Sequence, residues 1–186
     1  MGTKIWISAC DGKENIILEL IRRKNLPRAV AMYLAARGVD AGEADHYFNN
    51  AFADLTDPYR FPGMDVAVKR LWQAIRNRER ILIHGDYDTD GITATSLLSW
   101  VLEKNGAIVS SFLPHRFDDG YGFTPESLAK ALETAPSPCK VLVTVDCGIN
   151  SYPAVADAAS KGIDVIITDH HEPGDESALA LAIINP

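Results

Sequence analysis

Three aspartates alternate with other residues in the stretch IHGDYDTDGITATSLL, which covers residues 83–98. They are Asp86, Asp88 and Asp90, and His84 comes just before them. An apolar run precedes this group, and a stretch with helical character follows it. Because like charges repel at short distance, three carboxylates in one turn indicate that a positive partner binds there.

Two further groups of acids and histidines follow later apolar runs. Asp146 ends the run VLVTVD, and Asp169, His170 and His171 end DVIITDHH. Carboxylates together with imidazoles suit Mn²⁺ or Mg²⁺, and no thiolate is required. Two such ions about 3.5–4 Å apart can bind both the attacking and the leaving oxygen of a phosphoryl displacement. An aspartate on a middle strand, such as Asp146, could bridge them.

Short strands that alternate with helices must position these residues. Strands are predicted at 81–84, 107–113, 140–145 and 164–168, and a fifth is predicted to start at 183–184. Helices are predicted at 91–104, 125–135 and 151–161. This alternation predicts an α/β fold: a doubly wound, mainly parallel sheet with flanking helices. The acids and histidines follow the carboxyl ends of strands, which meet at one edge of such a sheet, where open α/β folds bind ligands.

The N-terminal part of the chain has helical periodicity instead. Apolar spacing predicts four helices, at 13–24, 27–37, 40–49 and 64–78. The prolines and glycine of ADLTDPYRFPG predict a loop at 53–63. We therefore expect a helical N-terminal appendage, residues 1–79, followed by a catalytic domain, residues 80–186.

The amino-acid composition indicates which broad class of protein this chain belongs to. The chain has 186 residues, 47% hydrophobic and 23% charged, which is typical of a soluble globular protein. No apolar run reaches the roughly 20 residues of a membrane helix, so no membrane partner is expected. Its three cysteines (Cys10, Cys139 and Cys147) lack C-x-x-C spacing, which predicts a reduced, cytoplasmic setting.

The net charge of −7 alone argues against a protein that binds nucleic acid. The charge is uneven, however, because residues 1–83 hold 13 basic and 10 acidic side chains, and residues 84–186 hold 5 and 15. Many of the later acids lie in the motifs above. If they bind divalent cations, the formal charge does not exclude a phosphate-containing substrate.

Three other interpretations of the acidic stretch are open. An EF-hand loop needs a glutamate at its twelfth position, which is Leu97 here, and a helix before the loop. The nucleophile loop of haloacid dehalogenases, D-x-D-x-T/V, needs Thr or Val where Asp90 or Ile92 stands. The acids could also cap helices, as Asp90 could for a helix from Gly91. Capping suits single residues better than a set that ends three parallel strands.

The stretches HGDYDTDG, VTVDCGI and TDHHE resemble three motifs of the DHH phosphoesterase superfamily, and more narrowly of its RecJ branch. RFDDGYGFTPE, the terminal IINP and LTDPYRFPGMDVAVKRL resemble that branch as well. The resemblance implies a hydrolase that uses two Mn²⁺ or Mg²⁺ ions and degrades single-stranded DNA from the 5′ end in recombination and repair. It also implies a single-strand-binding protein and a helicase as partners.

The resemblance assigns roles by position in the motifs. The implied metal ligands are His84, Asp88, Asp90, Asp146 and His170. His171 would face the scissile phosphate, and Asp169 would orient the neighbouring histidines. Asp86 would support the ligands without binding metal, and Cys147 would be a passive small residue.

The resemblance also suggests residues that contact the substrate. They are His115, Arg116, Gly120, Tyr121 and Gly122. Arg116 could bind a phosphate as a planar fork or be a solvated loop cation. Tyr121 could stack on a base or pack in the core. The two glycines could let the backbone approach a nucleotide or only shape a turn.

RecJ proteins continue beyond the position of Pro186, with a fourth motif that holds another metal-binding aspartate and with further substrate-binding domains. We therefore expect this chain to be an N-terminal fragment that folds but is inactive as a nuclease. Two other functions are considered. One is a phosphatase or phosphodiesterase for short oligonucleotides or cyclic dinucleotides. The other is a non-catalytic replication scaffold, which would have no need of an intact metal set.

Overall fold

The computed structural model describes residues 7–49, 51–115, 122–135, 138–176 and 178–186. The chain forms two compact units, Met1–Thr56 and Asp57–Pro186. Among the described residues, no helix is both long enough and apolar enough to cross a membrane.

The first unit is helical. It contains α1 (Glu14–Lys24), α2 (Arg28–Ala36) and α3 (Ala44–Phe48). Apolar residues at helical spacing bring one face of each helix into a small core. The buried members of this core are Ile17, Leu20, Ala31, Leu34, Ala35, Ala41 and Ala44.

The second unit is built on a five-stranded sheet in which every pairing is parallel. Its strands are β1 (Arg80–Gly85), β2 (Ile108–Phe112), β3 (Cys139–Val145), β4 (Asp164–Thr168) and β5 (Ala182–Ile184). They lie side by side in the order β2-β1-β3-β4-β5. This is a doubly wound order that reverses between β1 and β3, so the carboxyl ends of these two central strands flank the switch point.

Helices cover both faces of the sheet. They are α4 (Met64–Arg76), α5 (Thr89–Lys104), α6 (Pro125–Thr134) and α7 (Tyr152–Ser160). On one face, α6 and α7 pack on Leu82, Leu142, Val165 and Ile167. On the other face, α4 and α5 pack on a second apolar set. That set contains Ile81, Ile83, Val141, Val143, Val145 and Ile166. The near-continuous apolar strands of the sequence follow from this double coverage.

The predicted α/β fold with a parallel sheet is confirmed, and all five predicted strands are present. The compact units divide at residues 56 and 57, whereas the sequence places the end of the appendage at residue 79. The difference is α4, which packs on the sheet through Ala67 and Ala74. Its Arg70 also forms ion pairs with Glu79 and Asp164, at N–O distances of 2.7 and 2.6 Å.

Helix α5 begins at Thr89, two residues before the start at Gly91 that the capping interpretation assumes. The residue that caps it is Asp88, whose Oδ1 accepts hydrogen bonds from the backbone N–H groups of Asp90 and Gly91. Asp90 therefore lies in the first turn of the helix, where a negative charge interacts favourably with the helix dipole.

The central strand is predicted to carry much of the stability of the second unit. Leu142 on β3 is fully buried, so Leu142→Ala should lower the free energy of unfolding by about 2–5 kcal/mol. Urea denaturation followed by circular dichroism measures this change. Leu179→Ala is the matched control, because Leu179 is 93% exposed, and it should change stability by less than about 0.5 kcal/mol. Equal effects would contradict this account of the core.

Candidate metal centre

The acidic stretches that begin at Asp86, Asp146 and Asp169 meet because the strands before them are paired side by side in the sheet. Gly85 pairs with Val145, and Val145 pairs with Thr168. The next residues continue the pattern, since the backbone N–H of Asp86 donates to Val145 and that of Asp146 donates to Thr168. These N–O distances are 3.2 and 2.9 Å. Each acid is therefore the first residue beyond its strand, at the same edge of the sheet.

Two groups of side chains at this edge are close enough to share a cation. One group is Asp86, Asp88 and Asp146, and the other is Asp146, His170 and His171. Within each group, one ligand atom from every residue lies within 4.8 Å of the others. Asp146 belongs to both groups, so its carboxylate lies where two cations could be bridged.

Asp146 has an unusual backbone conformation. Its φ is +61°, a left-handed value that costs energy in a residue with a side chain. The turn continues through Gly148 at φ +111°, where a Cβ would lie 2.6 Å from Oγ1 of Thr144. This tight turn directs the Asp146 carboxylate toward His170, whose Nε2 lies 2.9 Å from Oδ1 of Asp146.

The second oxygen of Asp146 differs from the first. Oδ2 is buried and accepts no hydrogen bond from the described residues. Burial raises the pKa of this carboxyl, and the charge of Asp88 raises it further, whereas His170 and His171 lower it. A buried carboxylate oxygen without a donor is costly unless a cation binds it.

Asp88 and Asp90 are positioned by the start of α5. The backbone N–H of Gly91, and then that of Asp90, hold the pKa of Asp88 below its ordinary value. Gly91 is needed here because a Cβ would lie 2.4 Å from the carbonyl oxygen of Asp86. The described residues include a shallow cleft of about 320 Å³ that is lined by Asp90, Asp146 and His170 among others.

Asp86 lies deeper than its neighbours in the motif. It is buried, and its Oδ1 accepts a hydrogen bond of 2.7 Å from the backbone N–H of Tyr87. Burial raises the pKa of its carboxyl, and the charges of Asp88 and Asp169 act in the same direction. Its carboxylate nevertheless lies within reach of Asp88 and Asp146, so the geometry allows it to bind a cation as well as to support one.

Both carboxylate oxygens of Asp169 take part in hydrogen bonds. Its Oδ2 accepts from the backbone N–H of Ile149 at 2.9 Å, and its Oδ1 accepts from the backbone N–H groups of His170 and His171. Oδ1 also lies 2.7 Å from Nδ1 of His171. Burial alone would raise the pKa of Asp169, but these donors hold it below its ordinary value. The hydrogen bond with Asp169 raises the pKa of His171.

His84 lies beneath the edge rather than in either group of possible ligands. It is fully buried, and its Nε2 lies 3.0 Å from Oγ of Ser127 at the start of α6. Its Nδ1 lies 3.9 Å from Sγ of Cys147. Burial raises the pKa of the Cys147 thiol well above its ordinary value, which fits the passive role expected of this residue.

The described residues include two of the positions expected to contact substrate. His115 lines a cleft of about 570 Å³ together with Tyr87 and Asp88. Gly122 lines another, of about 400 Å³, together with Asp169 and His171. The other three positions lie outside the described residues. They are Arg116, Gly120 and Tyr121.

Sequence reasoning does not single out three polar side chains that contact the site. Ser127 faces His84, Asn150 contacts the segment after His171, and Asn185 donates to the carbonyl oxygen of His171 at 3.0 Å. Serine and asparagine are frequent in turns for many reasons. The sequence offers one signal only: Asn150 directly follows the VDCGI stretch, and Asn185 lies within IINP.

The chain is similar to known proteins over most of its length. The model of the DHH family, N-terminal domain, matches residues 80–186. The single-stranded-DNA-specific exonuclease RecJ of Bacillus subtilis (strain 168) is 39% identical over 171 residues, which are 91% of this chain and 21% of that protein. The protein of the same name from Escherichia coli (strain K12) is 38% identical over 162 residues, 87% of this chain and 27% of that protein.

Solved structures agree with these matches. A crystal structure of exonuclease RecJ bound to manganese matches with a TM-score of 0.63 at 36% identity, covering 71% of this chain and 33% of that one. RecJ from Thermus thermophilus in complex with Mn²⁺ matches with a TM-score of 0.65 at 29% identity, covering 92% and 23%. The chain thus spans between about a fifth and a third of the length of these proteins.

The ion pair of His171 and Asp169 predicts a pH dependence in the metal-free protein. Since the folded pKa of His171 is raised above its ordinary value of 6.5, its contribution to stability is full below that pH and is lost as the pH rises through the folded pKa. The stability difference between the unaltered chain and His171→Gln should therefore be larger at about pH 6 than at about pH 9. Urea denaturation in EDTA measures it.

Nuclear magnetic resonance provides an independent check on the same pair. In Asp169→Asn, the His171 ring should titrate closer to 6.5 than it does in the unaltered chain, because its partner has lost its charge. An unchanged titration midpoint would contradict the assigned cause of the shift.

Proposed function

The chain belongs to the DHH family, and from this premise we propose that it is the metal-binding part of a hydrolase that degrades single-stranded DNA from the 5′ end. The RecJ proteins it matches are named single-stranded-DNA-specific exonucleases, and two of their structures contain manganese. The observation that carries the proposal is the shared position of Asp146 in two groups of possible ligands.

The residues at the sheet edge fit a pair of Mn²⁺ or Mg²⁺ ions. The donors are carboxylate oxygens and imidazole nitrogens, which hard divalent ions accept. The buried Oδ2 of Asp146, which accepts no hydrogen bond from the described residues, is an atom that a cation would satisfy. The proposed ligands are Asp88, Asp146 and His170, with Asp86 close enough to contribute. Asp90 is added from its position in the motif, and it lines the same cleft as Asp146 and His170. When bound, two such ions activate water and stabilise charge on the phosphoryl oxygens.

His84 stays a predicted ligand from the resemblance, but its contacts support another role. Its Nε2 faces Ser127 and its Nδ1 faces Cys147, so both ring nitrogens already lie next to protein atoms. We propose that His84 fixes the end of β1 against α6, and that the ligand set is completed by the other residues.

His171 is the proposed group that faces the scissile phosphate. Its Nδ1 is engaged by Asp169, which leaves Nε2 for the substrate. Because the pKa of the ring is raised, the imidazolium form persists closer to neutral pH and can donate a hydrogen bond to a phosphate oxygen. Asp169 would hold the ring in this orientation, as a carboxylate does in other catalytic pairs.

Several wider expectations stay predictions. They are the assignment of residues 80–186 as a catalytic domain, a cytoplasmic location, and a single-strand-binding protein and a helicase as partners. A hydrolase for short oligonucleotides is the alternative substrate class, and the length dependence of the reaction distinguishes it from the exonuclease.

Metal binding can be tested on this chain directly. Isothermal titration calorimetry with Mn²⁺ should detect binding, and Asp146→Asn should weaken it by at least about tenfold because one carboxylate serves both groups. Asp157→Asn, on α7, is the matched control and should bind as the unaltered chain does. No binding up to millimolar Mn²⁺ would contradict the proposal.

Hydrolysis is tested with the protein that the complete gene encodes. With Mn²⁺ and a single strand labelled at its 5′ end, it should release short labelled products first, and Asp146→Asn should abolish their release with the fold retained. A His171→Gln variant should lower kcat more than it lowers affinity for Mn²⁺. Near-normal rates in the Asp146 variant, or a preference for strands of only a few nucleotides, would contradict the assignment.

A further inference from the structure

The segment that carries both histidines is fastened by one asparagine of a different turn. Nδ2 of Asn150 donates to the carbonyl oxygen of Glu172 at 3.0 Å, and Oδ1 of Asn150 accepts from the backbone N–H of Gly174 at 2.6 Å. One side-chain amide thus uses both its donor and its acceptor on residues 172 and 174. We propose that Asn150 is a positioning residue, which fixes His170 and His171 relative to Asp146.

Asn150 completes a connection between two turns of the site. The turn after β3 contains Asp146, Ile149 and Asn150, and the turn after β4 contains the histidines. Ile149 holds the beginning of the second turn through its N–H bond to Asp169, at 2.9 Å. Asn150 holds the same turn just beyond His171. Two neighbouring residues therefore hold the histidine pair from both sides.

The contact between Asn150 and Gly174 leaves little space for a side chain at position 174. A Cβ on Gly174 would lie 2.9 Å from the hydroxyl oxygen of Tyr152 and 3.1 Å from Oδ1 of Asn150. The Tyr152 hydroxyl in turn donates to Oδ1 of Asn150 at 3.2 Å. The start of α7 therefore orients the asparagine, and a Cβ at position 174 would have to displace the Tyr152 hydroxyl or the Asn150 amide.

The role of this contact is geometric rather than one of general stability. Asn150, Glu172 and Gly174 are all exposed, and hydrogen bonds in contact with water add little to the free energy of folding. A turn with exposed backbone is mobile unless it is held at specific points. Misplacing a ligand or a catalytic group by about 1 Å can cost on the order of 10²-fold in rate.

The test compares Asn150→Ala with Asn105→Ala in this chain. Asn105 is a suitable control because its Nδ2 also donates to a backbone carbonyl, that of Val101, at the other end of α5. The inference rests on the proposed function, so the first measurement is the Kd for Mn²⁺ by calorimetry. Asn150→Ala should raise the Kd by about tenfold, and Asn105→Ala should leave it unchanged.

A second measurement needs neither metal nor activity. In the metal-free protein, amide hydrogen exchange at Gly174 and His171 should be faster in Asn150→Ala, while the unfolding midpoint in urea stays close to that of the unaltered chain. Exchange at the same rate in both proteins would overturn the inference. A loss of stability large enough to account for the faster exchange would overturn it too, because the role would then be structural only.

Gly174→Ala tests the contact from its other side. It should reproduce the weaker binding of Mn²⁺, and the double variant should be no worse than either single variant, because both remove the same contact. Fully additive effects would overturn the inference.

The outcomes separate this inference from the proposed function. If the unaltered chain binds no Mn²⁺, the proposed function fails, and amide exchange alone then decides whether Asn150 holds the turn. If the unaltered chain binds Mn²⁺ and Asn150→Ala binds it equally well, the positioning role fails while the proposed function stands.

Discussion

Repulsion between carboxylates at one edge of the sheet is the constraint on which the rest of this structure depends. The parallel register of β1, β3 and β4 brings Asp86, Asp146 and Asp169 to the first position beyond each strand. Three like charges in partly buried positions would oppose folding if each kept its full charge without compensation. The fold resolves this conflict differently for each acid, and that difference gives the acids different chemical roles.

Backbone donors hold the pKa of Asp88 and Asp169 below the ordinary value, whereas the one backbone donor of Asp86, the N–H of Tyr87, does not outweigh its burial. The N–H groups of Gly91 and Asp90 stabilise the charge on Asp88, and those of Ile149, His170 and His171 stabilise the charge on Asp169. Burial raises the pKa of Asp86 and Asp146 instead. Asp169, whose two oxygens accept several hydrogen bonds, has little need of a cation. Asp146 has more need of one, because its buried Oδ2 accepts no hydrogen bond from the described residues.

The parts of this arrangement that follow from local sequence could be predicted. The apolar runs predict five strands of the right type, and their alternation with helices implies a parallel sheet. Convergence of the acids then follows from topology alone, because each ends a strand of one sheet. Helical periodicity, however, does not indicate which oxygen of Asp88 accepts the capping hydrogen bonds of α5, nor that α4 packs on the sheet.

Contacts between residues far apart in the sequence were not predictable. His84 and Ser127 meet because α6 begins beneath the end of β1, and Asn150 reaches Glu172 because β3 and β4 are neighbours. Motif position likewise does not indicate the contacts of His84. Its place in HGDYDTDG matches a family ligand, yet its ring lies between Ser127 and Cys147.

The same tertiary contacts determine how well the edge is organised before any cation arrives. Asp169 orients His171, Asn185 holds the carbonyl of His171, and Asn150 holds residues 172 and 174 just beyond it. Asp169, Asn185 and Asn150 belong to neither group of possible ligands. A site whose ligands are held by the protein needs less reorganisation when it binds, which favours both affinity and rate. On the proposed role of Asn150, the organisation of this edge depends on neutral turn residues as well as on the acids and histidines.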